Sequence, residues 1–189
     1  MDGNAYVGER KTRFAVVRYG NVVGSRGSVI PLFASLRRGG KLPVTDARMT
    51  RFWVTMDRVI EFVMESLTRM EGGEIFVPRI PSMKIMDLAR VMAPQAKIEI
   101  IGIRPGEKLH EVLLHADESR RAVRADNYFV IPPEPTAFRN DAWRGGKPLP
   151  EGFVYSSDNN DQWLTEEDMR PIVEKFLQDA SAVALGSAA

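Results

Sequence analysis

A strand, a glycine-punctuated loop and a helix follow one another within residues 14–36, and this joint constrains the fold more than any other segment. Residues 14–19 are rich in valine and aromatic side chains and stop at Gly20, which favours a buried strand. Ser28 is placed to cap the following helix, and Pro31 falls in its first turn, where proline is tolerated. Joints of this type direct backbone N–H groups toward anions, so residues 20–28 are a candidate ligand loop.

The glycine spacing of this loop excludes a dinucleotide-binding motif. Glycines at positions 20, 24 and 27 do not make the pattern Gly-x-Gly-x-x-Gly. An ordinary turn between strand and helix is the alternative to a ligand loop. Four side chains favour the ligand loop, because all can donate hydrogen bonds beside a helix N-terminus: Asn21, Ser25, Arg26 and Ser28.

Composition limits the kinds of partner. The 189 residues include 26 Lys and Arg against 25 Asp and Glu, so we expect no affinity for nucleic acid and only a local anion site. The absence of cysteine excludes disulfides and thiolate chemistry and fits a reducing, cytoplasmic setting. His110 and His115 lack the spacing of a metalloprotease pair, and we predict no metal site. Apolar runs stay shorter than the ~20 residues of a membrane span, which predicts a soluble chain without one.

The remaining sequence alternates between strand and helix patterns, which predicts an α/β core. A loop through Pro43 leads to an extended segment at residues 49–54 and then to a helix capped by Thr55. One apolar stripe is predicted on this helix: Val59, Ile60, Val63, Met64 and Leu67.

The second half of the chain is less regular. Ser82 is placed to cap another helix, and residues 97–101 form the next predicted strand. From Asp117 onward the sequence becomes polar and rich in proline, with a strand at residues 128–131.

Irregular structure is predicted over residues 138–160, with Trp143 and Phe153 packed on the body. A helix starts near Thr165, and a frayed tail follows from Ala180. We divide the chain into residues 1–115 and a C-terminal extension, residues 116–189, within one continuous structural unit.

The segment at residues 104–111 combines groups that suit a nucleotide diphosphate. Arg104 offers a planar fork for phosphate oxygens, and Glu107 follows a Pro-Gly turn as a possible acceptor for ribose hydroxyls. The alternative is a helix N-terminus with Glu107 against the helix dipole and Arg104 in a surface ion pair.

A third cluster lies at residues 41–53, where Thr45, Arg48 and Arg51 alternate with apolar side chains. Such a segment can clamp a phosphate or stack on a base. In the alternative interpretation, Phe52 and Trp53 belong to the hydrophobic core and both arginines are exposed to solvent. Tyr6 does not match the Tyr-x-x-x-Lys pair of short-chain dehydrogenases, because an arginine stands four residues later.

Taken together, residues 17–31, 42–46, 49–53 and 104–111 resemble the extended short-chain dehydrogenase/reductase family. The closest similarity is to the inverting UDP-N-acetylglucosamine 4,6-dehydratases and related polysaccharide biosynthesis proteins. The resemblance runs in unbroken order over residues 13–115. It implies the C-terminal portion of an extended Rossmann-type α/β fold with a substrate-binding region, whose N-terminal dinucleotide-binding half is absent.

Members of this family move hydride from sugar C4 to NADP, eliminate water across C5 and C6, and return hydride at C6. The resemblance implies that the cofactor glycines, the acid–base Asp-Lys pair and the Tyr-x-x-x-Lys pair all precede this segment. We therefore expect no catalytic residue here, no binding of NADP or NAD by this chain alone, and no turnover.

The resemblance also implies a set of substrate-binding residues. The sugar diphosphate would contact Asn21, Ser25, Arg26 and Ser28, with Val29 and Pro31 toward the nucleotide. The uridine and diphosphate pocket would be lined by Thr45, Arg51, Arg104 and Glu107. The implied partners are a UDP-sugar and either a second copy of the chain or the missing N-terminal half. The alternative function is a stand-alone UDP-sugar-binding or interaction module that pairs with a separate chain.

Overall fold

The computed structural model describes residues 12–25, 27–133 and 145–186, with side chains as far as Ala180. Twelve short strands and four α-helices occur within them, and parallel and antiparallel pairing confirms the predicted α/β class. The helices are α1 (Val29–Leu36), α2 (Met56–Arg69), α3 (Ile85–Met92) and α4 (Glu166–Gly186). The strands are β1 (Val16–Val17), β2 (Asn21–Val22), β3 (Lys41–Val44), β4 (Thr50–Val54), β5 (Ile75–Pro78), β6 (Ser82–Lys84), β7 (Lys97–Ile100), β8 (Val112–Leu114), β9 (Val123–Arg124), β10 (Tyr128–Ile131), β11 (Lys147–Pro148) and β12 (Tyr155–Ser156).

The largest sheet has the strand order β1-β5-β10-β9-β11. β1 and β5 are parallel, whereas the other neighbours are antiparallel. β5 and β10 are buried along their whole length, as expected for apolar strands with both faces covered. Strands from both halves of the sequence therefore share one sheet.

The remaining strands form three smaller sheets. β4 lies between β2 and β6, and β3 pairs in parallel with β7. β8 pairs with β12. These pairings bring the N-terminal joint, residues 41–54 and residues 97–114 next to one another.

Helix α1 confirms the predicted joint, since it begins directly after Ser28 and carries Pro31 in its first turn. The strand predicted over residues 14–19 is observed as β1, which is shorter than predicted and half-buried. Among the described residues, β1 has a partner strand on one edge only. Gly20 is required for packing: a Cβ at this position would lie 2.4 Å from the Cβ of Phe52.

Two predicted assignments are wrong because strand pairing outweighed local signals. Residues 41–44 form β3 instead of a loop, since Pro43 lies in register with Glu99 of β7. Ser82 caps no helix, because it lies in β6 opposite Phe52 and is fully buried. The helix begins three residues later, at Ile85.

Helix α2 starts as predicted, with the Thr55 side chain accepting a hydrogen bond from the N–H of Arg58. Its apolar stripe is covered on one side only. Val59 is 7% exposed, whereas Ile60, Met64 and Leu67 are more than half exposed. A large apolar area of α2 thus faces outward in the described part of the chain.

The last helix, α4, begins with a reciprocal cap. Thr165 Oγ1 accepts from the N–H of Asp168, and Asp168 Oδ2 accepts from the N–H of Thr165. Met169 and Val173 then pack in the core that also contains α1 and α3. The helix continues to Gly186, so the frayed tail predicted from Ala180 is wrong over that span.

Phe153 packs as predicted, with its ring 5.7 Å from that of Phe129, and β11 and β12 interrupt the region predicted to be irregular. Tyr6 and Trp143 lie outside the described residues. Across the described ranges, the helices are all too short or too polar to cross a membrane.

Candidate functional site

A cavity of about 280 Å³ opens where α1 begins, between the ends of β2, β3 and β4 and the loop after β7. Seven predicted site residues line this one cavity although they come from four separate segments: Asn21, Ser28, Val29, Thr45, Arg51, Arg104 and Glu107. The strand pairings β2–β4 and β3–β7 bring these segments together.

Two of the other predicted residues, Ser25 and Pro31, do not line the cavity. Ser25 lies in the turn before α1, where its carbonyl oxygen accepts from the N–H of Ser28. Pro31 lies in the first turn of α1 without reaching the cavity wall. Arg26 lies outside the described residues.

Arg104 and Glu107 form a closed turn. The N–H of Glu107 donates to the Arg104 carbonyl at 3.0 Å, and Glu107 Oε2 accepts from the N–H of Arg104 at 3.2 Å. Gly106 has φ of +80°, a conformation that glycine adopts without strain. The alternative of a helix N-terminus is therefore wrong.

The turn is tied to β3 by one side-chain contact. Thr45 Oγ1 donates to Glu107 Oε1 at 3.2 Å. The Arg104 side chain is exposed, and no carboxylate of the described residues forms an ion pair with it. Its guanidinium is available to an anionic ligand at the cavity mouth.

Unlike Arg104, Arg51 is largely buried, with 12% of its side chain exposed. Its guanidinium donates to the carbonyl oxygens of Thr50, Leu109 and Lys108 at 2.7, 3.0 and 2.7 Å. Burial lowers the pKa of this guanidinium from its usual value. Arg51 therefore lines the cavity and also fastens residues 108–109 to β4.

The Ser28 hydroxyl is buried beside the N-terminus of α1 and has no hydrogen-bond partner among the described residues. It makes no cap interaction with the helix, contrary to the prediction. A buried hydroxyl without a partner carries a desolvation cost of about 1 to 3 kcal/mol. A ligand oxygen entering the cavity would supply the partner.

The other members of the 41–53 cluster lie away from the opening or form its floor. Arg48 is exposed and bound to Asp46, and its hydrogen bonds lower the pKa of that carboxyl to about 2. Phe52 and Trp53 are buried, as in the core interpretation, and Trp53 also lines the cavity. Arg51 departs from that interpretation because it is not solvated.

Sequence reasoning missed the apolar lining. Met83, Ile85 and Ile101 contribute to the cavity, and no motif marks them; Pro43 of the 42–46 segment lines it too but was not expected to. Only the pairing of β4 with β6 and of β3 with β7 places them there. Within the described ranges no group of three or more His, Asp or Glu side chains could hold a metal ion.

Known proteins resemble this chain. A family model described as "Polysaccharide biosynthesis protein" matches residues 1–133. A UDP-N-acetylglucosamine 4,6-dehydratase (inverting) from Campylobacter jejuni is 47% identical over an alignment of 179 residues that covers 90% of this chain and 54% of that relative. The capsular polysaccharide biosynthesis protein CapD of Staphylococcus aureus is 44% identical over an alignment of 117 residues that covers 57% of this chain and 20% of CapD.

A solved structure described as Pen from Bacillus thuringiensis superimposes with a TM-score of 0.74 at 35% identity, over 89% of this chain and 51% of that one. The chain thus spans about half the length of the dehydratases it matches and corresponds to their C-terminal part. The match over residues 1–133, most of the sequence, shows that this chain belongs to the polysaccharide biosynthesis protein family.

Proposed function

We propose that this chain is the substrate-binding part of a sugar-nucleotide enzyme that resembles the UDP-N-acetylglucosamine 4,6-dehydratases and acts in surface polysaccharide or glycan biosynthesis. The nucleotide diphosphate of a UDP-sugar occupies the cavity at the start of α1. The 47% identity to a dehydratase named for this substrate supports the assignment.

One observation carries the proposal: two groups that lack partners within the described part of the chain, the buried Ser28 hydroxyl and the Arg104 guanidinium, line the same cavity. Ser28 precedes α1, whose first N–H groups favour negative charge. Arg104 approaches from the opposite loop and supplies the positive charge. A diphosphate between them satisfies both groups.

The remaining residues orient the nucleotide. Glu107 keeps lone pairs free for ribose hydroxyls while it closes its own turn, and Thr45 holds it in place. Arg51 adds positive charge from the cavity wall in a fixed orientation. Ser25 and Arg26 of the loop are further candidates for contact with the sugar diphosphate, and Pro31 of α1 for the nucleotide side.

The family's cofactor does not fit the residues described here. The loop over residues 20–27 lacks dinucleotide spacing, and the space that a Gly20 side chain would need is filled by Phe52. The proposal therefore assigns NADP or NAD, and the groups that move protons and hydride, to the N-terminal half of such enzymes. The isolated chain binds nucleotide without turning over the sugar.

Calorimetric titration of UDP tests this function. We expect saturable binding, weakened at least tenfold in Arg104→Ala, which removes a charge-assisted contact of ~1.5–3 kcal/mol. Arg48→Ala is the matched control, because Arg48 is exposed and bound to Asp46 outside the cavity. No binding by the unaltered chain, or equal affinity in Arg104→Ala, contradicts the proposal.

The second candidate function is an interaction module, and the outer surface of α2 favours it. Ile60, Met64 and Leu67 are 54%, 58% and 55% exposed and share one helical face. The N–H groups of Val16 and Arg18 donate to the carbonyls of Glu74 and Phe76, and no described strand pairs with the other edge of β1. A parallel strand followed by an amphipathic helix would cover both features.

The partner proposed for this surface is the N-terminal half of a related dehydratase, supplied as a separate chain; a second copy of this chain is the other occupant. Mixing with the purified N-terminal half of the Campylobacter relative, followed by size measurement, should give a complex. Met64→Glu should weaken it at least tenfold, whereas Glu61→Gln on the polar face should not. A chain that stays monomeric in the mixture contradicts the pairing, and self-association that Met64→Glu abolishes identifies the second copy.

A further inference from the structure

The hydroxyl of Thr50 joins two segments that are distant in sequence. Thr50 Oγ1 lies 2.8 Å from His110 Nδ1 and 2.7 Å from Ser157 Oγ. Thr50 is 4% exposed and Ser157 is fully buried. Neither residue lines the cavity. Their contacts instead fasten the segment that follows the Arg104–Glu107 turn.

The direction of these hydrogen bonds follows from counting hydrogens. The N–H of Glu111 donates to Ser157 Oγ at 2.9 Å, because a backbone nitrogen can only donate. Ser157 then has one hydrogen to give, and Thr50 Oγ1 is the acceptor in reach. Thr50 in turn gives its hydrogen to His110 Nδ1.

The reverse order leaves a buried group unsatisfied. If Thr50 donated to Ser157, the Ser157 hydrogen would have no acceptor among the described residues, at a cost of about 1 to 3 kcal/mol. The favoured order therefore requires Nδ1 of His110 to be an acceptor. It makes His110 the neutral tautomer with hydrogen on Nε2, which faces Asp158 Oδ2 at 3.8 Å.

Backbone contacts carry this anchoring toward the cavity. The N–H of Thr50 donates to the Leu109 carbonyl, and the N–H of Ser157 donates to the Glu111 carbonyl. By contrast, within the described residues the 104–107 turn has one side-chain hydrogen bond to the rest of the protein, from Thr45 to Glu107. The position of Arg104 thus depends strongly on how residues 109–111 are held.

We propose that the hydrogen-bond chain from Glu111 through Ser157 and Thr50 to His110 positions the Arg104–Glu107 turn for nucleotide binding. Thr50 and Ser157 are positioning residues, since they act on the ligand through this turn. The effect on affinity rests on the proposed function, whereas the hydrogen-bond chain itself does not.

Two variants at one position test the proposal. Thr50→Val keeps the shape and removes the hydroxyl, whereas Thr50→Ser keeps the hydroxyl. We expect Thr50→Val to weaken UDP binding about 3- to 10-fold and to speed hydrogen exchange at the Glu111 amide. Thr50→Ser should restore both values to within about twofold of the unaltered chain.

Nuclear magnetic resonance of the imidazole nitrogens supplies a readout that needs no ligand. The chain has two histidines, so His115→Gln assigns the signals. With both rings neutral, His110 should carry its hydrogen on Nε2 in the unaltered chain. Thr50→Val should shift the His110 Nδ1 signal and leave that of His115 in place.

The outcomes separate this inference from the proposed function. Absence of UDP binding by the unaltered chain contradicts the function, while the His110 tautomer and the Glu111 exchange rate still decide the inference. A His110 ring with its hydrogen on Nδ1 overturns the inference even if Thr50→Val fails to fold. An unchanged Glu111 exchange rate in folded Thr50→Val also overturns it.

Discussion

Arg18 and Glu118 form a two-pronged ion pair, with Nη1–Oε2 at 2.8 Å and Nη2–Oε1 at 2.7 Å, although 100 residues separate them. Arg18 follows the edge strand β1, and Glu118 begins a short 3-10 helix after β8. Glu118 also accepts from the N–H of His115. Partial burial opposes ionisation of Glu118, but these hydrogen bonds outweigh it and hold its pKa below the ordinary value.

Replacing Glu118 should therefore destabilise the fold. In Glu118→Gln the Arg18 guanidinium keeps its charge and loses the carboxylate, so we expect the free energy of unfolding to fall by about 1 to 3 kcal/mol. Urea denaturation followed by circular dichroism measures this. Glu151→Gln is the control, because Glu151 and Arg120 form an ion pair with both side chains over two-thirds exposed. Equal stability in the two variants would count against a structural role for the pair.

The Arg18–Glu118 ion pair should also make the stability of the fold depend on pH in the acid range. Because the pKa of Glu118 is lower in the folded state, its stabilisation is present above the ordinary value of 4.5 and is lost as pH falls through the folded pKa. Stability measured from pH 6 downward should fall less steeply in Glu118→Gln than in the unaltered chain. Parallel curves would show that other carboxylates dominate the acid response.

Ser28→Ala should change stability and affinity in opposite directions. The substitution removes a buried hydroxyl that has no partner in the described part of the chain, so the ligand-free chain should be unchanged or up to about 1 kcal/mol more stable. UDP binding should weaken about 5- to 20-fold if the hydroxyl meets the diphosphate. Thermal melts and calorimetry on one preparation give both values. Ser35→Ala is the control, because Ser35 is an exposed serine of α1 outside the cavity lining, and it should alter affinity less than twofold.

Gly20→Ala should be among the most damaging small substitutions. A Cβ there would lie 2.4 Å from Phe52 Cβ and 3.1 Å from Ile80 Cδ1, and Phe52 is fully buried. Overpacking of this kind costs about 1–3 kcal/mol or more. Gly39→Ala is the matched control, because nothing lies within 4 Å and its φ is not positive. A Gly20→Ala chain as stable as Gly39→Ala would mean that β2 and β4 can separate freely.

The buried Tyr155 hydroxyl should make the folded state less stable at alkaline pH. Its hydroxyl donates to the Ile80 carbonyl at 3.0 Å and accepts from the Ile80 N–H at 2.9 Å. Burial raises its pKa from 10.0 to about 12. A raised folded pKa gives stability that is present below pH 10 and lost as pH rises toward 12. Absorbance titration should show Tyr155 ionising last, together with unfolding, after Tyr128, whose pKa is also raised by burial. Tyr155→Phe should remove the late step.

Local signals in the sequence were sufficient where short-range interactions decide the structure. The start of α4 follows from the reciprocal cap of Thr165 and Asp168, whereas α1 begins after Ser28 without a cap from its hydroxyl and tolerates Pro31 in its first turn. The segments around Thr45, Arg51 and Arg104 were also found from residue types and resemblance. Their assembly around one cavity required strand pairing.

The sequence alone determined the α/β class, the family resemblance and most of the polar residues that line the cavity, because these depend on residue type and on spacing along the chain. Only the tertiary structure decided that Pro43 lies in a strand, that the Ser28 hydroxyl has no partner among the described residues, and that Arg51 donates to the carbonyls of Lys108 and Leu109. Each of these depends on which distant atoms fill the space beside a group. That information arises when strands pair and bury their side chains, and no local pattern contains it.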